Sequence, residues 1–135
     1  MILDSSALID FLDSEADHHD DARQYIEDRP IQPWFSPTIV LFEVYQYQAR
    51  EHGRDGVVGL AERLDWLEPL EFTEQAAREA AVIDAELMAV GNPINMMDVL
   101  IAGIARDAEM PLIARDGDFD KITDLDVEYY TASSN

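Results

Sequence analysis

The chain opens with Met1-Ile2-Leu3-Asp4-Ser5-Ser6-Ala7-Leu8-Ile9, a short apolar run that ends at an acid and continues into two serines. The apolar run predicts a buried first strand, and the residues from Ala7 to Leu12 predict the first helix. Asp4 would then lie at the carboxyl end of that strand. Because ligands of open parallel sheets bind at the carboxyl ends of strands, Asp4 is the first candidate for a functional acid.

Predicted strands and helices alternate along the rest of the chain. Strands are expected at residues 34–36, 67–72, 112–114 and 127–130. Helices are expected at about 16–28, from Pro37 through Gln46, from a glycine-rich stretch up to Trp66, from Thr73 to Gly91 and from Asn95 to about Ala108, with a loop at 115–121. This alternation is typical of an α/β fold with a parallel sheet between helices, and Pro69 indicates that the third strand lies at an edge.

Length and composition limit the class of protein. The 135 residues suit one domain, 1–135, with a single buried core. The acidic amino-terminal segment does not fit a secretory signal, and no apolar run approaches the roughly 20 residues of a membrane span. Cysteine is absent, which excludes disulfides and thiolate metal sites. We therefore expect a cytoplasmic protein with no membrane association.

The charge is strongly unbalanced, with 29 acidic residues against 9 basic ones and a net charge of −20. Lys121 is the only lysine. Such a surface repels itself in dilute buffer, whereas at about 1 M salt the Debye length falls to roughly 3 Å and the repulsion is screened. The composition therefore indicates adaptation to a salt-rich, halophilic cytoplasm. The alternative is an acidic protein that binds a basic partner.

Three further acids share with Asp4 an apolar sequence context that is unusual for surface carboxylates. Glu43 lies within Ile39–Val44, Asp98 lies between methionines and Val99, and Asp116 follows a predicted strand by one residue. Each has a structural explanation of its own except Glu43, whose burial without a ligand would be costly. Asp4 could cap a helix, Asp98 could form a capping box with Asn95, and Asp116 with Gly117 could form a turn.

Carboxylates gathered in one site repel each other, and a divalent cation removes that repulsion. Mg²⁺ is the expected ion because it prefers oxygen ligands and accepts carboxylates together with waters and phosphate oxygens. A zinc site at His18 and His19 is the alternative. Adjacent residues on a helix point in different directions, which argues against it.

The four acid-bearing segments resemble the motifs of PIN-domain nucleases, and among them the toxins of VapBC toxin–antitoxin pairs. The segments occur in family order at family spacing across nearly the whole chain: Ile2–Ile9, Ser36–Val44, Gly91–Ala102 and Pro111–Phe119. The resemblance implies a three-layer α/β/α fold with a five-stranded parallel sheet in the order 3-2-1-4-5. It also implies endoribonuclease activity, Mg²⁺ or Mn²⁺ as cofactor, RNA as substrate, a cognate antitoxin and a homodimer.

By the same resemblance, Asp4, Glu43 and Asp98 are expected to bind the metal directly or through water, and Asp116 is expected to complete the site. Ser6 would orient Asp4. The motif can also be aligned on Asp118, which is otherwise expected to support the loop while Phe119 packs inward. Ala114 stands where relatives often have threonine. Three arginines near the motifs could contact RNA: Arg50, Arg54 and Arg115.

Two other functions fit part of this pattern. A phosphatase or phosphotransfer domain could use Asp4 as a nucleophile. Enzymes of the haloacid dehalogenase type usually carry a second aspartate where this chain has Ser6, and Lys121 lies in a poor place for the lysine that they need. A catalytically silent PIN-fold binding module is the other alternative, and the complete set of acids argues against it.

Overall fold

The computed structural model describes residues 1–115 and 117–131. Five parallel strands form one sheet in the order β3-β2-β1-β4-β5, which confirms the predicted topology. The strands are β1 (Ile2–Leu3), β2 (Trp34–Pro37), β3 (Leu67–Leu70), β4 (Leu112–Ala114) and β5 (Val127–Tyr129). β3 lies at one edge, where Pro69 is tolerated because one side of the strand needs no hydrogen-bond partner.

Helices cover the sheet: α1 (Ser5–Leu12), α2 (His19–Glu27), α3 (Thr38–Arg63), α4 (Glu74–Ala89) and α5 (Met96–Ala108). Parallel crossover connections are right-handed. The chain runs from β1 through β2 to β3 in one direction, which places α1, α2 and α3 on one face. It then returns to β4 on the other side of β1, which places α4 and α5 on the opposite face. The result is the expected arrangement of helices on both sides of a sheet.

Several predicted bounds differ from the structure: α2 begins at His19 rather than about Ala16, and β3 ends at Leu70 rather than Phe72. Two further differences have identifiable reasons. The first helix begins at Ser5 rather than Ala7, because the Asp4 carboxylate accepts a hydrogen bond from the Ala7 amide at 2.8 Å and caps the helix at that point. The segment expected to be a loop after β4 contains a short 3₁₀ helix, Gly117–Lys121, which buries Phe119.

Two helices were predicted across α3, and the structure confirms the break: the segment consists of two helical parts joined by a kink at Gly53. Gly53 adopts φ 64° and ψ −156°, a conformation that other residues rarely reach. The helix therefore changes direction at Gly53, which separates Glu43 and Arg50 from Arg54.

The central strands and α5 are held rigidly in the core. Ile2, Leu3 and Ile113 are fully buried or nearly so, as expected where both faces of a parallel strand are covered. Gly103 of α5 lies so close to α4 that an added Cβ would be 2.7 Å from the Ala80 Cβ. This close packing fixes the position of α5, whose first turn carries Asp98. None of the described helices is long and apolar enough to cross a membrane.

Candidate functional site

Asp4 occupies the point where the strand order reverses, at the carboxyl end of β1 and beside β4. Its side chain is almost completely buried. Besides the bond from the Ala7 amide, it receives the Ser6 hydroxyl, whose Oγ lies 3.0 Å from each carboxylate oxygen. Asp4 therefore does cap helix α1, as its structural alternative predicted. The same hydrogen bonds hold the carboxylate at the ligand-binding edge of the sheet.

Asp4 and Asp98 come close enough to interact electrostatically. The pKa of Asp4 is raised to about 7: burial is the largest cause and the negative charge of Asp98 adds to it, while hydrogen bonds from Ala7 and Ser6 act in the opposite direction. Asp98 lies in the first turn of α5, where the helix dipole favours a negative charge. Asn95 caps this helix by accepting a hydrogen bond from the Met97 amide at 2.8 Å.

Glu43 is joined to the same region by Ser5. The Ser5 hydroxyl donates a hydrogen bond of 2.6 Å to the Glu43 Oε1, which connects α3 to the first residue of α1. Successive helical residues point about 100° apart, so Ser5 and Ser6 reach two different acids. Sequence reasoning selected Ser6 and missed Ser5, although the adjacent hydroxyls were visible in the opening motif.

A second buried acid, Asp10, was also missed. Its Oδ2 accepts hydrogen bonds from the Arg115 Nη1 at 2.7 Å and from the Tyr130 hydroxyl at 2.6 Å. Only 4 % of the residue is exposed. The signal that selected Glu43, an acid inside an apolar helical run, applies equally to Asp10 in Ala7–Leu12 and could have found it.

The remaining candidates occupy different surroundings. Asp116 lies outside the described residues, so the assignment of the fourth acid stays a prediction. Asp118 lies in the 3₁₀ helix with its Oδ1 3.6 Å from the Lys121 Nζ. Arg50 and Arg54 are exposed on either side of the α3 kink, whereas Arg115 is directed toward Asp10.

The two adjacent histidines make separate contacts. The His18 Nδ1 lies 3.2 Å from Asp21, and the His19 Nδ1 lies 2.8 Å from the backbone oxygen of Asp10. Within residues 1–115 and 117–131, no three histidine or acidic side chains are grouped closely enough to form a ready metal site. The zinc alternative therefore gains no support from the described residues.

The chemistry of the cluster nevertheless fits a hard divalent cation. Asp4 and Asp98 offer carboxylate oxygens, and the pKa of Asp4 is raised first by burial and then by the negative charge of Asp98. Mg²⁺ commonly binds to a few carboxylates while keeping several waters, so two converging acids are a sufficient nucleus. Glu43, linked through Ser5, and Asp116 are the further candidate ligands.

A groove of about 450 Å³ begins at Glu43 and runs between α1 and α3. Its lining combines apolar side chains, including Ile9 and Leu60, with charged ones. Tyr47, which also lines it, is 63 % exposed. The groove therefore offers an amphipathic binding surface that adjoins the acids.

Comparisons with protein families and with solved structures both find matches that cover most of this chain. Residues 1–125 match the family model of the PIN domain. No curated protein sequence matches the chain. Solved structures with similar folds include VapBC2 from Rickettsia felis bound to a DNA fragment from their promoter, at 20% identity over 96% of this chain and 98% of that chain with a TM-score of 0.80.

Two other solved structures align over nearly their full lengths. FitAcB from Neisseria gonorrhoeae is 20% identical over 98% of this chain and 99% of its own, with a TM-score of 0.80. VapC20 from Mycobacterium tuberculosis, a sarcin–ricin loop cleaving toxin, is 18% identical over 93% of this chain and 98% of its own, with a TM-score of 0.68. At these identities the likeness establishes the fold.

Proposed function

The chain belongs to the PIN-domain family, and on this basis we propose that it is a Mg²⁺-dependent endoribonuclease and the toxin of a toxin–antitoxin pair. The single observation that supports the proposal is the buried Asp4 carboxylate at the carboxyl end of β1, within electrostatic reach of Asp98. We further propose that residues 1–135 form one PIN domain and that it acts in the cytoplasm, where RNA and an antitoxin would be met.

In this proposal Asp4, Glu43, Asp98 and Asp116 hold the metal, and Mn²⁺ could replace Mg²⁺. A bound ion supplies an activated water for attack on a backbone phosphate and stabilises the leaving oxygen. The protein's part is to fix the carboxylates. Ser6 orients Asp4 through both of its oxygens, and Ser5 orients Glu43.

RNA binding must overcome the net charge of −20. A polyanionic surface repels phosphate in dilute salt, so we propose that affinity depends on the metal and on local arginines. Arg115 follows β4 at the same sheet edge as Asp4, and its charge lowers the pKa of Asp4. Arg50 and Arg54 are exposed and available for phosphate contacts.

The groove between α1 and α3 is the site at which we propose that an antitoxin binds. Its apolar lining would accept hydrophobic side chains of a partner segment, and Glu43 at one end would accept a basic side chain. Two similar structures are described as VapBC complexes and one as a toxin, which makes an antitoxin the natural partner class. A homodimer, implied by the family, remains a prediction.

Cleavage of a labelled total-RNA pool in high-salt buffer tests the proposed activity. We expect the antitoxin-free protein to make discrete cuts with Mg²⁺ or Mn²⁺ and none with EDTA. Asp98→Asn should abolish these cuts while leaving the fold intact. Asp107→Asn, at the exposed far end of the same helix, is the matched control and should cleave like the wild type.

Each alternative function has its own outcome. Failure of the folded wild type to cleave RNA under any metal condition would leave a catalytically silent binding module. Phosphoaspartate trapped at Asp4 would instead indicate phosphotransfer, although Ser6 occupies the position of the expected second acid and hydrogen-bonds to Asp4.

The halophilic interpretation predicts a large salt dependence of stability. Raising KCl from about 0.1 M to about 2 M should screen the repulsion among exposed acids and raise the melting temperature by roughly 5–10 °C, equivalent to about 2 kcal/mol. Thermal unfolding followed by circular dichroism measures this change, and NaCl provides a control for ion identity. A melting temperature that stays constant or falls with salt would favour a basic partner as the reason for the acidic surface.

A further inference from the structure

Asp10 and Arg115 form an ion pair that borders the acidic cluster. The Arg115 Nη1 lies 2.7 Å from the Asp10 Oδ2, and the Tyr130 hydroxyl donates to the same oxygen at 2.6 Å. The Asp10 side chain is only 5 % exposed, whereas that of Arg115 is 41 % exposed. The acid is therefore fixed in the protein, and the arginine is the partner that can move.

Arg115 is also within electrostatic reach of Asp4. It follows the last residue of β4, and β4 is the neighbour of β1 in the sheet, so both residues lie at the same edge. The positive charge of Arg115 also lowers the pKa of the Asp4 carboxyl. Arg115 thus pairs with a buried acid and lies at the same edge of the sheet as Asp4.

We propose that Asp10 is a positioning residue that restrains Arg115 and so keeps its guanidinium group from competing with a metal ion for the carboxylates of Asp4 and Asp98. This inference rests on the proposed function, because it assumes that these acids bind the metal. A guanidinium group forms paired hydrogen bonds with carboxylates, so an unrestrained Arg115 could turn toward the acids at the end of β1. There it would compete with the metal for the same oxygens, which lowers the apparent metal affinity.

The ion pair with Asp10 also weakens the repulsion that Arg115 would exert on a metal ion bound at the acids. The Asp10 carboxylate lies 2.7 Å from the guanidinium and offsets part of its positive charge. The Arg115 side chain is still 41 % exposed, so solvent-borne phosphate can reach it. Asp10 therefore allows a metal ion and a phosphate-binding arginine to occupy the same small region.

Mn²⁺ binding to the apo-protein, measured by isothermal titration calorimetry in about 1 M KCl, tests this role without any activity assay. Asp10→Asn preserves the shape of the side chain and can still accept a hydrogen bond, but it removes the charge that holds Arg115. We expect this variant to bind Mn²⁺ about tenfold more weakly than the wild type. Arg115→Met should bind at least as tightly as the wild type, and the double variant should bind within about threefold of Arg115→Met.

The rescue separates positioning from a general loss of structure, because a damaged fold would not be repaired by a second substitution. Glu79→Gln is the matched control: it removes the acid from another ion pair, in which the Arg106 Nε lies 2.8 Å from Glu79, and should leave Mn²⁺ affinity unchanged. If Asp10→Asn does not fold, Asp10→Ser is measured in its place, because it removes the same charge.

Each result has a distinct meaning. Wild-type protein that does not bind Mn²⁺ contradicts the proposed function itself. Wild-type binding combined with equal binding by Asp10→Asn overturns the positioning role alone. The role is also overturned if the double variant stays as weak as Asp10→Asn, or if Arg115→Met by itself weakens binding tenfold.

Discussion

Replacement of Asp4 by asparagine is expected to lower the rate of metal-dependent RNA cleavage by roughly a thousandfold, the order of loss seen when one preorganised charge is removed from an active site. Asparagine keeps the size of the side chain and remains a good helix cap, so the Ala7 hydrogen bond should persist. What is lost is the negative charge that would bind the cation. Single-turnover cleavage of a defined RNA at saturating Mg²⁺ measures the effect.

The same substitution should make the metal-free protein more stable at pH 8, which distinguishes a functional acid from a structural one. A buried carboxylate whose charge is unfavourable weakens the fold, and an isosteric neutral group removes that penalty. Asp65→Asn, at an exposed position after α3, serves as the control and should change neither the rate of RNA cleavage nor the stability at pH 8. Near-normal cleavage by Asp4→Asn would contradict the assignment of Asp4 as a metal ligand.

Most of the sheet could be predicted from the sequence because its central strands are short apolar runs that are buried on both faces. The run before Asp4 and the run at 112–114 have this character, and both form neighbouring central strands. The apolar context of Asp4 also distinguished it from the many solvated acids. The PIN-domain resemblance supplied the strand order, which spacing alone would not have determined.

The hydrogen-bond network around Asp10 could not be predicted in the same way. Its partners lie 105 and 120 residues away in sequence, so only the packed sheet brings them together. The break in α3 is a different case: a local glycine-rich stretch predicted it correctly, and the non-helical residue is Gly53. Local patterns identify the residues that are unusual, and long-range packing decides what they contact.

The contacts around Asp4 show how the fold tolerates a charge that it does not neutralise. Two hydrogen-bond donors, Ala7 and Ser6, hold the carboxylate in place, and Arg115 contributes a favourable charge. These interactions are outweighed by burial and by the repulsion from Asp98. The site is therefore preorganised for a cation at the expense of stability in its absence, which is a common property of functional sites.

That imbalance predicts how the stability of the metal-free protein depends on pH. The native pKa of Asp4 is raised from 3.8 to about 7, so between these values the native state holds a proton that the unfolded state has lost. Stability from this group is fully present below pH 3.8 and falls as pH rises toward 7. At about 1.4 kcal/mol per pKa unit, Asp4 should lower the free energy of unfolding by about 3 kcal/mol between pH 5 and pH 8.

Chemical denaturation in EDTA and constant high salt measures this change. Asp4→Asn is the reference, because it retains every titrating acid except Asp4. The difference in unfolding free energy between wild type and variant should shift by about 3 kcal/mol across the range, in favour of the variant at pH 8. Saturating Mg²⁺ should reverse the trend for the wild type, because the ion binds the ionised carboxylate and stabilises the native state most where that form prevails. A difference that does not vary with pH in EDTA would mean that Asp4 ionises freely in the native protein. The carboxylate would then carry no unfavourable charge for a cation to stabilise.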